Sequence, residues 1–280
     1  MAGCPLERVA SPSMSNVSFL SDFGLTDEFV GVVHGVIAKL APKTTVIDVT
    51  HGIPRGDVRS GALALVRSIQ YLPDGVVLAV VDPGVGTGRR AIAAGTESGM
   101  LFVGPDNGLL GPAVATMGGA TKIVELTNPE AQIPSAGATF AGRDIFGPAA
   151  ALLSSGEASI EDLGDEVAPD SVTPLLIPLP EIEPGKVVGE AWWVDTFGNV
   201  QSNVGPDDLE VAGITKDVTV TVRVGASEYE VPWVDAYGDV DEGEPLLHVD
   251  SSGLMALAVR AGSATSYFNL ATGTALTLAG

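Results

Sequence analysis

The sequence GVVLAVVDPGVGTGRR, Gly75–Arg90, decides how this chain is read. Its first half, Gly75–Val81, carries no charge, as strands buried on both faces of a parallel sheet do not. The strand ends abruptly at Asp82, and a proline, three glycines and the pair Arg89–Arg90 follow. Lys and Arg total only 14 against 35 Asp and Glu, so an arginine pair after a glycine-rich turn needs a reason.

Strand and helix patterns alternate on both sides of this stretch. Asn16–Leu20 and Thr45–Val49 read as strands, and Met100–Val103 and Lys122–Leu126 as further ones. Asp27 is predicted to cap a helix whose apolar face includes Phe29, Val30, Val33, Ile37 and Leu40. Asp57 is predicted to cap a second helix carrying Val58, Leu63, Leu65, Val66 and Ile69, and Asp144–Leu153 reads as another. The alternation predicts an α/β fold, an N-terminal α/β layer with a mostly parallel sheet over residues 16–170. TPLLIPLPEIEPG then holds four prolines in thirteen residues, a stiff linker over residues 171–185. Beyond it VTVTVRV, SEYEVPWV, PLLHVD and LMALAV alternate or run apolar between turns. Residues 186–280 are therefore expected to form a smaller all-β domain, a barrel or sandwich.

Composition narrows the function. A net charge of −21 disfavours nucleic acid, whose phosphates reward basic patches. It is compatible with a cationic ligand, although acidity by itself is most simply a solubility trait. No apolar run approaches the ~18 residues of a membrane span, so no membrane partner is expected. Residues 1–15 lack a signal pattern and read as a disordered leader, with Met14 an alternative start. Cys4, the single cysteine, lies there, which excludes a disulfide framework and a cysteine metal site and makes a reducing cytoplasm the simplest location.

Ligands of open parallel sheets bind beyond the carboxyl ends of the strands. Four polar clusters follow the expected strands: SDFGLTDE (Ser21–Glu28), THGIPRGD (Thr50–Asp57), DPGVGTGRR (Asp82–Arg90) and GPDNGLL (Gly104–Leu110), the last offering Asn107. Turn chemistry accounts for any one of them, but four at one rim point to a site. Phosphate binding fails on spacing. A Walker loop needs lysine where Arg89 stands, and Gly84, Gly86 and Gly88 are spaced GxGxG ahead of a strand-like RRAIAAG. Asp82 and Arg89, seven residues apart, remain: either a salt bridge that ties the turn or a carboxylate oriented to polarise water. In the second half, WWVDTFGNVQSN (Trp192–Asn203) is either a core tryptophan pair beside a turn or an aromatic face for a planar base.

Together, SDFGLTD, VVDPGVGTGRR, GPDNGLL, TFAGRDIFGPAA, DTFGN and DSSG, in this order from about Ser18 onward, resemble the S-adenosylmethionine (SAM) hydroxide adenosyltransferase family, related to the SAM-dependent fluorinase and chlorinase. The resemblance implies an N-terminal α/β domain, a C-terminal β-barrel and a homotrimer that binds SAM between subunits. It implies that Asp22 grips the ribose hydroxyls, that Phe197 and Asn199 form the adenine site with Tyr237 as a stacking partner, and that Asp195 receives the methionine ammonium with help from the Asp27 segment. Ser251 and Ser252 fall where the methionine carboxylate is held. Asp82 and Arg89 match two members of an Asp–Arg–His water-activating triad, whereas Ala141 stands where the family motif TFHGRD has histidine. An engineered change made to trap a ligand, or a naturally altered enzyme, would each explain that alanine.

The implied reaction is hydrolysis of SAM to adenosine and L-methionine, with SAM as substrate and no cofactor or metal. Halide transfer is the rival within the family. The halogenases resemble this chain around the same turn but carry a neutral tyrosine at the position of Asp82, and a buried carboxylate beside an anion site is unfavourable. A non-catalytic SAM or adenosine sensor is the rival from another class.

Overall fold

The computed structural model describes residues 15–216 and 218–280. The expected leader up to Met14, with Cys4, lies outside them. The chain divides between Leu175 and Leu176 into two compact units.

The N-terminal unit is one seven-stranded sheet with helices on it. Its strands are β1 (Asn16–Ser21), β2 (Thr45–Thr50), β3 (Val76–Val80), β4 (Ala91–Thr96), β5 (Leu101–Pro105), β6 (Ala120–Glu125) and β7 (Asp165–Glu166). Its α-helices are α1 (Phe29–Leu40), α2 (Val58–Ser68), α3 (Gly111–Thr116) and α4 (Gly147–Ser155). Strand order is β2-β1-β3-β5-β4-β6-β7. The sheet is mixed: β2, β1, β3 and β5 run parallel, while β4, β6 and β7 continue it antiparallel. Parallel strands need long crossovers, and α1 (β1 to β2) and α2 (β2 to β3, across β1) supply two of them.

All five residues of β3 are buried, as its uncharged sequence requires. Helix α1 buries Val30, Val33 and Ile37, one face at helical spacing, against Val17, Phe19 and the alanines of α4. Phe29 remains partly exposed. Asp57 caps α2 as expected, its Oδ1 accepting the Ser60 N–H at 2.9 Å. Asp27 does not cap α1. The N-cap is Glu28, without a side-chain bond, because the helix begins at Phe29 and Asp27 stands one residue too early. The predicted helix from Asp144 begins instead as a π-turn, Gly142–Phe146, that leads into α4.

The C-terminal unit is antiparallel. Its strands are β8 (Glu181–Glu183), β9 (Lys186–Val194), β10 (Val200–Ser202), β11 (Thr219–Val224), β12 (Ser227–Pro232), β13 (Pro245–Val249), β14 (Met255–Val259) and β15 (Ala275–Ala279). They follow the order β12-β11-β15-β9-β10-β14-β13, with β8 also on β9. A bridge between Trp233 and Leu247, with Val234 N–H donating to Leu247 O at 2.9 Å, brings the two ends together into a nearly closed barrel. Val187, Val220, Val222, Leu257 and Phe268 fill it. Two short helices, α5 (Pro206–Val211) and α6 (Ala264–Phe268), interrupt the strands and are too brief to show a helical period in the sequence.

Candidate functional site

The four parallel strands β1, β2, β3 and β5 are the four that precede the polar clusters, so all four clusters leave the sheet at one rim. They are tied to one another there. Gly56 N–H donates to Asp22 Oδ2 at 2.8 Å, joining the second cluster to the first. Gly24 N–H donates to His51 O at 2.8 Å, and Asn107 Nδ2 donates to Val81 O at 2.8 Å.

The arginine pair after the glycine turn serves two different aspartates. Arg89 Nε lies 2.9 Å from each carboxylate oxygen of Asp82, and its Nη2 donates to Oδ2. The Asp82 side chain is only 6% exposed, and the Arg89 guanidinium lies over the Phe146 ring at 5.0 Å. Arg90 pairs with Asp106 across 2.9 Å from Nε and reaches Ser171 Oγ at 3.1 Å. The glycines make the first of these pairs possible. A Cβ at Gly84 would stand 3.2 Å from Arg89 Cγ, and Gly86 takes a φ of +77°. A strand, β4, follows the turn, so no helix N-terminus is present there to hold a phosphate.

Asp82 lines a cavity of about 60 Å³ together with Asp22, Phe23, Thr139, Phe140 and Ala141. Residues from three separate segments thus face one space that admits a few waters but no nucleoside. Ala141, buried at 6% exposure, also borders a second cavity of about 480 Å³ lined by Gln132, Ser135 and Asp144. Arg143, two residues on, stays outside the pair chemistry: it binds Asp144 at 2.6 Å and lies over Phe140. The π-turn that begins at Gly142 sets the direction in which residue 141 faces.

Two expected ligands of this unit stand differently. Asn107 uses its amide as a brace, donating to Val81 O at 2.8 Å and accepting from Leu109 N–H at 3.2 Å. Asp27 is exposed on the approach to α1 and does not line the cavity. His51, which sequence reasoning passed over, is buried, and its Nδ1 lies 2.7 Å from Ser21 Oγ, which in turn accepts the Phe23 N–H at 3.3 Å. It supports the turn that presents Asp22. A lone histidine in a turn-like THGIP segment gave no sign of this role.

The C-terminal unit gathers its own set. Asp195 Oδ1 accepts Phe197 N–H at 2.9 Å and Asn199 N–H at 2.8 Å, and Oδ2 accepts Asn199 Nδ2 at 2.8 Å. The carboxylate shapes the DTFGN turn and keeps about one of its roughly four lone-pair sites free. Phe197, at the tip, is 78% exposed. Asn199 Nδ2 also lies 3.4 Å from the Tyr237 hydroxyl. Tyr237 packs edge-on against the buried His248 at 5.1 Å, a second support missed in the sequence. Burial, and then the negative charges of Asp195 and Asp250, push the Tyr237 phenol above its usual pKa of 10.0. Both carboxylates therefore act at the same phenol, and the surface there is electronegative. Asp250 braces the DSSG turn, its Oδ1 accepting Ser252 N–H at 2.8 Å and Leu254 N–H at 3.1 Å. Ser251 and Ser252 are exposed at this turn.

Known proteins share this architecture. The family model described as SAM hydroxide adenosyltransferase N-terminal domain matches residues 17–164, and the C-terminal domain model of the same family matches residues 189–277. A Salinispora tropica protein named (R)-S-adenosyl-L-methionine hydrolase is 46% identical over 258 residues, covering 92% of this chain and 95% of its own. An Actinoplanes fluorinase is 27% identical over 289 residues, covering 94% and 96%. The crystal structure of an uncharacterized conserved protein from Thermotoga maritima superposes with a TM-score of 0.87 at 39% identity, covering 94% of this chain and all of that one.

Proposed function

The chain belongs to the SAM hydroxide adenosyltransferase family, and on that premise we propose that it hydrolyses S-adenosyl-L-methionine to adenosine and L-methionine. The observation that carries this reading is Asp82, held by Arg89 and lining the water-sized cavity that Asp22 also lines.

A water held by Asp82 attacks C5′ of the adenosyl group. The new C–O bond forms as the C5′–S bond breaks, and its electron pair stays on sulfur, giving neutral methionine. The leaving thioether needs no general acid. The water's proton passes to Asp82 and then to solvent. Arg89 contributes by fixing the carboxylate. Alignment of water and carbon contributes most, up to about 7–11 kcal/mol in well-oriented reactions. Asp22 holds the ribose diol. A carboxylate in the cavity disfavours chloride or fluoride there, which supports water as the nucleophile.

SAM carries its positive charges at the ammonium and the sulfonium. The electronegative surface of Asp195, Asp250 and Tyr237 suits such a ligand. In this reading Asp195 takes the ammonium, Phe197, Asn199 and Tyr237 take the adenine, and Ser251 and Ser252 take the methionine carboxylate. Asp27 and Asn107 support the site from the rim. The working form is a homotrimer that binds SAM between neighbouring subunits. Co-expression of Asp82→Asn and Asp195→Asn chains, both in an Ala141→His background and assayed at limiting SAM, then gives more activity than either variant alone, because some mixed sites carry neither change. No regain would mean that each site lies within a single subunit.

Ala141 removes the imidazole that the family resemblance expects beside the water. We therefore expect SAM to bind while turnover runs about 10²–10⁴-fold below that of an Ala141→His chain, the usual worth of base assistance. Adenosine release at saturating SAM, with and without chloride, tests this. Equal rates would show that Asp82 and Arg89 suffice. Binding without turnover in either chain favours a sensor, the reading that Ala141 supports. Chloride-dependent product would overturn the choice of water.

A further inference from the structure

We propose that His34, Asp48 and His51 form a binding site for one divalent transition-metal ion of the zinc type, separate from the hydrolytic cavity. The residues come from α1, from β2 and from the segment just after β2. One potential ligand atom of each lies within 4.8 Å of the others. His34 Nε2 is 2.8 Å, and His51 Nε2 is 3.0 Å, from the same carboxylate oxygen, Asp48 Oδ1.

The second observation is the state of His51. Its side chain is 2% exposed, and Nε2, although near Asp48, makes no aligned hydrogen bond. Its neighbouring acceptor, Asp48 Oδ1, is misaligned with the ring, and a poorly satisfied buried nitrogen is costly. The other nitrogen, Nδ1, is engaged with Ser21 Oγ at 2.7 Å. This is the usual pattern of a metal-ligating histidine: one nitrogen fixed by an outer hydrogen bond, the other presented as a lone pair. A cation among the three groups would satisfy Nε2 and would also separate the two imidazoles that crowd one oxygen.

The donor set selects the ion. Two imidazoles and a carboxylate suit Zn²⁺ and its transition-metal neighbours rather than Mg²⁺ or Ca²⁺, which take oxygen ligands. Zinc–ligand bonds of about 2.0–2.2 Å in tetrahedral geometry place ligand atoms roughly 3.3 Å apart. The two nitrogen–oxygen spacings of 2.8 and 3.0 Å would open by a few tenths of an ångström. That movement is cheap, because the His34 and Asp48 side chains are 35% and 44% exposed. Their exposure also leaves a solvent side for a water as the fourth ligand. Phe19 provides an apolar floor, its ring centroid 4.6 Å from that of His51. An ion here would tie α1 and β2 to the Ser21 turn, one residue from Asp22.

The test uses the full, untagged chain, stripped by chelator and titrated with Co²⁺. The expected result is a single saturable equivalent with a visible d–d band, displaced by Zn²⁺ and not by Mg²⁺, and a thermal midpoint that rises with Zn²⁺. His34→Gln, at an exposed position, lowers affinity at least tenfold while the circular dichroism spectrum is unchanged. Ser21→Ala lowers it by about 10–100-fold, the usual cost of an outer-shell partner. Absence of saturable binding overturns the proposal. So does binding that His34→Gln leaves intact, or binding that a Cys4→Ser change removes.

Discussion

Asp82 and Asp195 are both turn aspartates that end strands, yet they are held in opposite ways. Asp82 takes its hydrogen bonds from a guanidinium seven residues further along the chain and lines a small cavity. Asp195 takes its bonds from the main chain and side chain of the turn it begins, and that turn projects an exposed phenylalanine. A carboxylate held by a charged partner is oriented toward whatever enters the cavity. A carboxylate held by N–H groups shapes the local backbone and has little capacity to spare. On the proposed function, chemistry falls to the N-terminal rim and recognition to the C-terminal turns.

The largest effect expected from this contrast is on turnover. Asp82→Asn in an Ala141→His background should lower adenosine release by about 10²–10⁴-fold and leave SAM affinity unchanged. Joint loss of binding and turnover would make the Asp82–Arg89 pair a structural tie and remove the contrast. The next effect is smaller and falls on ligand choice. Asp195→Asn keeps an oxygen for the Phe197 and Asn199 N–H groups but loses the charge. Calorimetry should show SAM and methionine weakened by about 1.5–3 kcal/mol, the range for hydrogen bonds to charged groups, with adenosine unaffected. Equal weakening of all three ligands would mean that the turn, not the charge, was the recognition element.

Phe197→Ala should cost adenosine and SAM about 1–3 kcal/mol, the worth of a base stacked on an aromatic ring, and methionine nothing. Because Phe197 is already exposed, folding stability should stay constant, which a thermal melt checks. The smallest effect is spectroscopic. Tyr237 should ionise above 10.0, because burial and the charges of Asp195 and Asp250 oppose the phenolate. In Asp195→Asn that midpoint should move down, as one of the opposing charges is gone. An ultraviolet pH titration compared with Tyr237→Phe isolates this one phenol, and an unmoved midpoint would separate Asp195 from Tyr237.

Much of the rim was legible in the chain because its determinants are short-range. The uncharged run of β3, the turn residues after it and the spacing of Asp82 and Arg89 all lie within sixteen consecutive residues, Gly75–Arg90. The cap at Asp57 is equally local. Asp27 misled because a residue one place early has the same composition as a true cap. The π-turn at Gly142–Phe146 has no periodic signature of its own in the sequence. His51 and His248 do their work against Ser21 and Tyr237, residues 30 and 11 positions away in number, and nothing local announces such a pairing.

The linear order of residues was enough to set the alternation of strands and helices, the change to all-β patterning after the prolines, and the motif order that carries the family resemblance. These are properties of consecutive residues, fixed by backbone preference and the period of apolar side chains. Other features came into being only with the folded chain. Strands β4, β6 and β7 turn antiparallel, Asp22, Asp82 and Ala141 share one cavity, and the amide of Asn107 is taken by Val81. Each of these depends on which distant groups meet. A carboxylate or an amide has the same composition whether it faces a cavity or braces a turn, and only the position of its partners distinguishes the two.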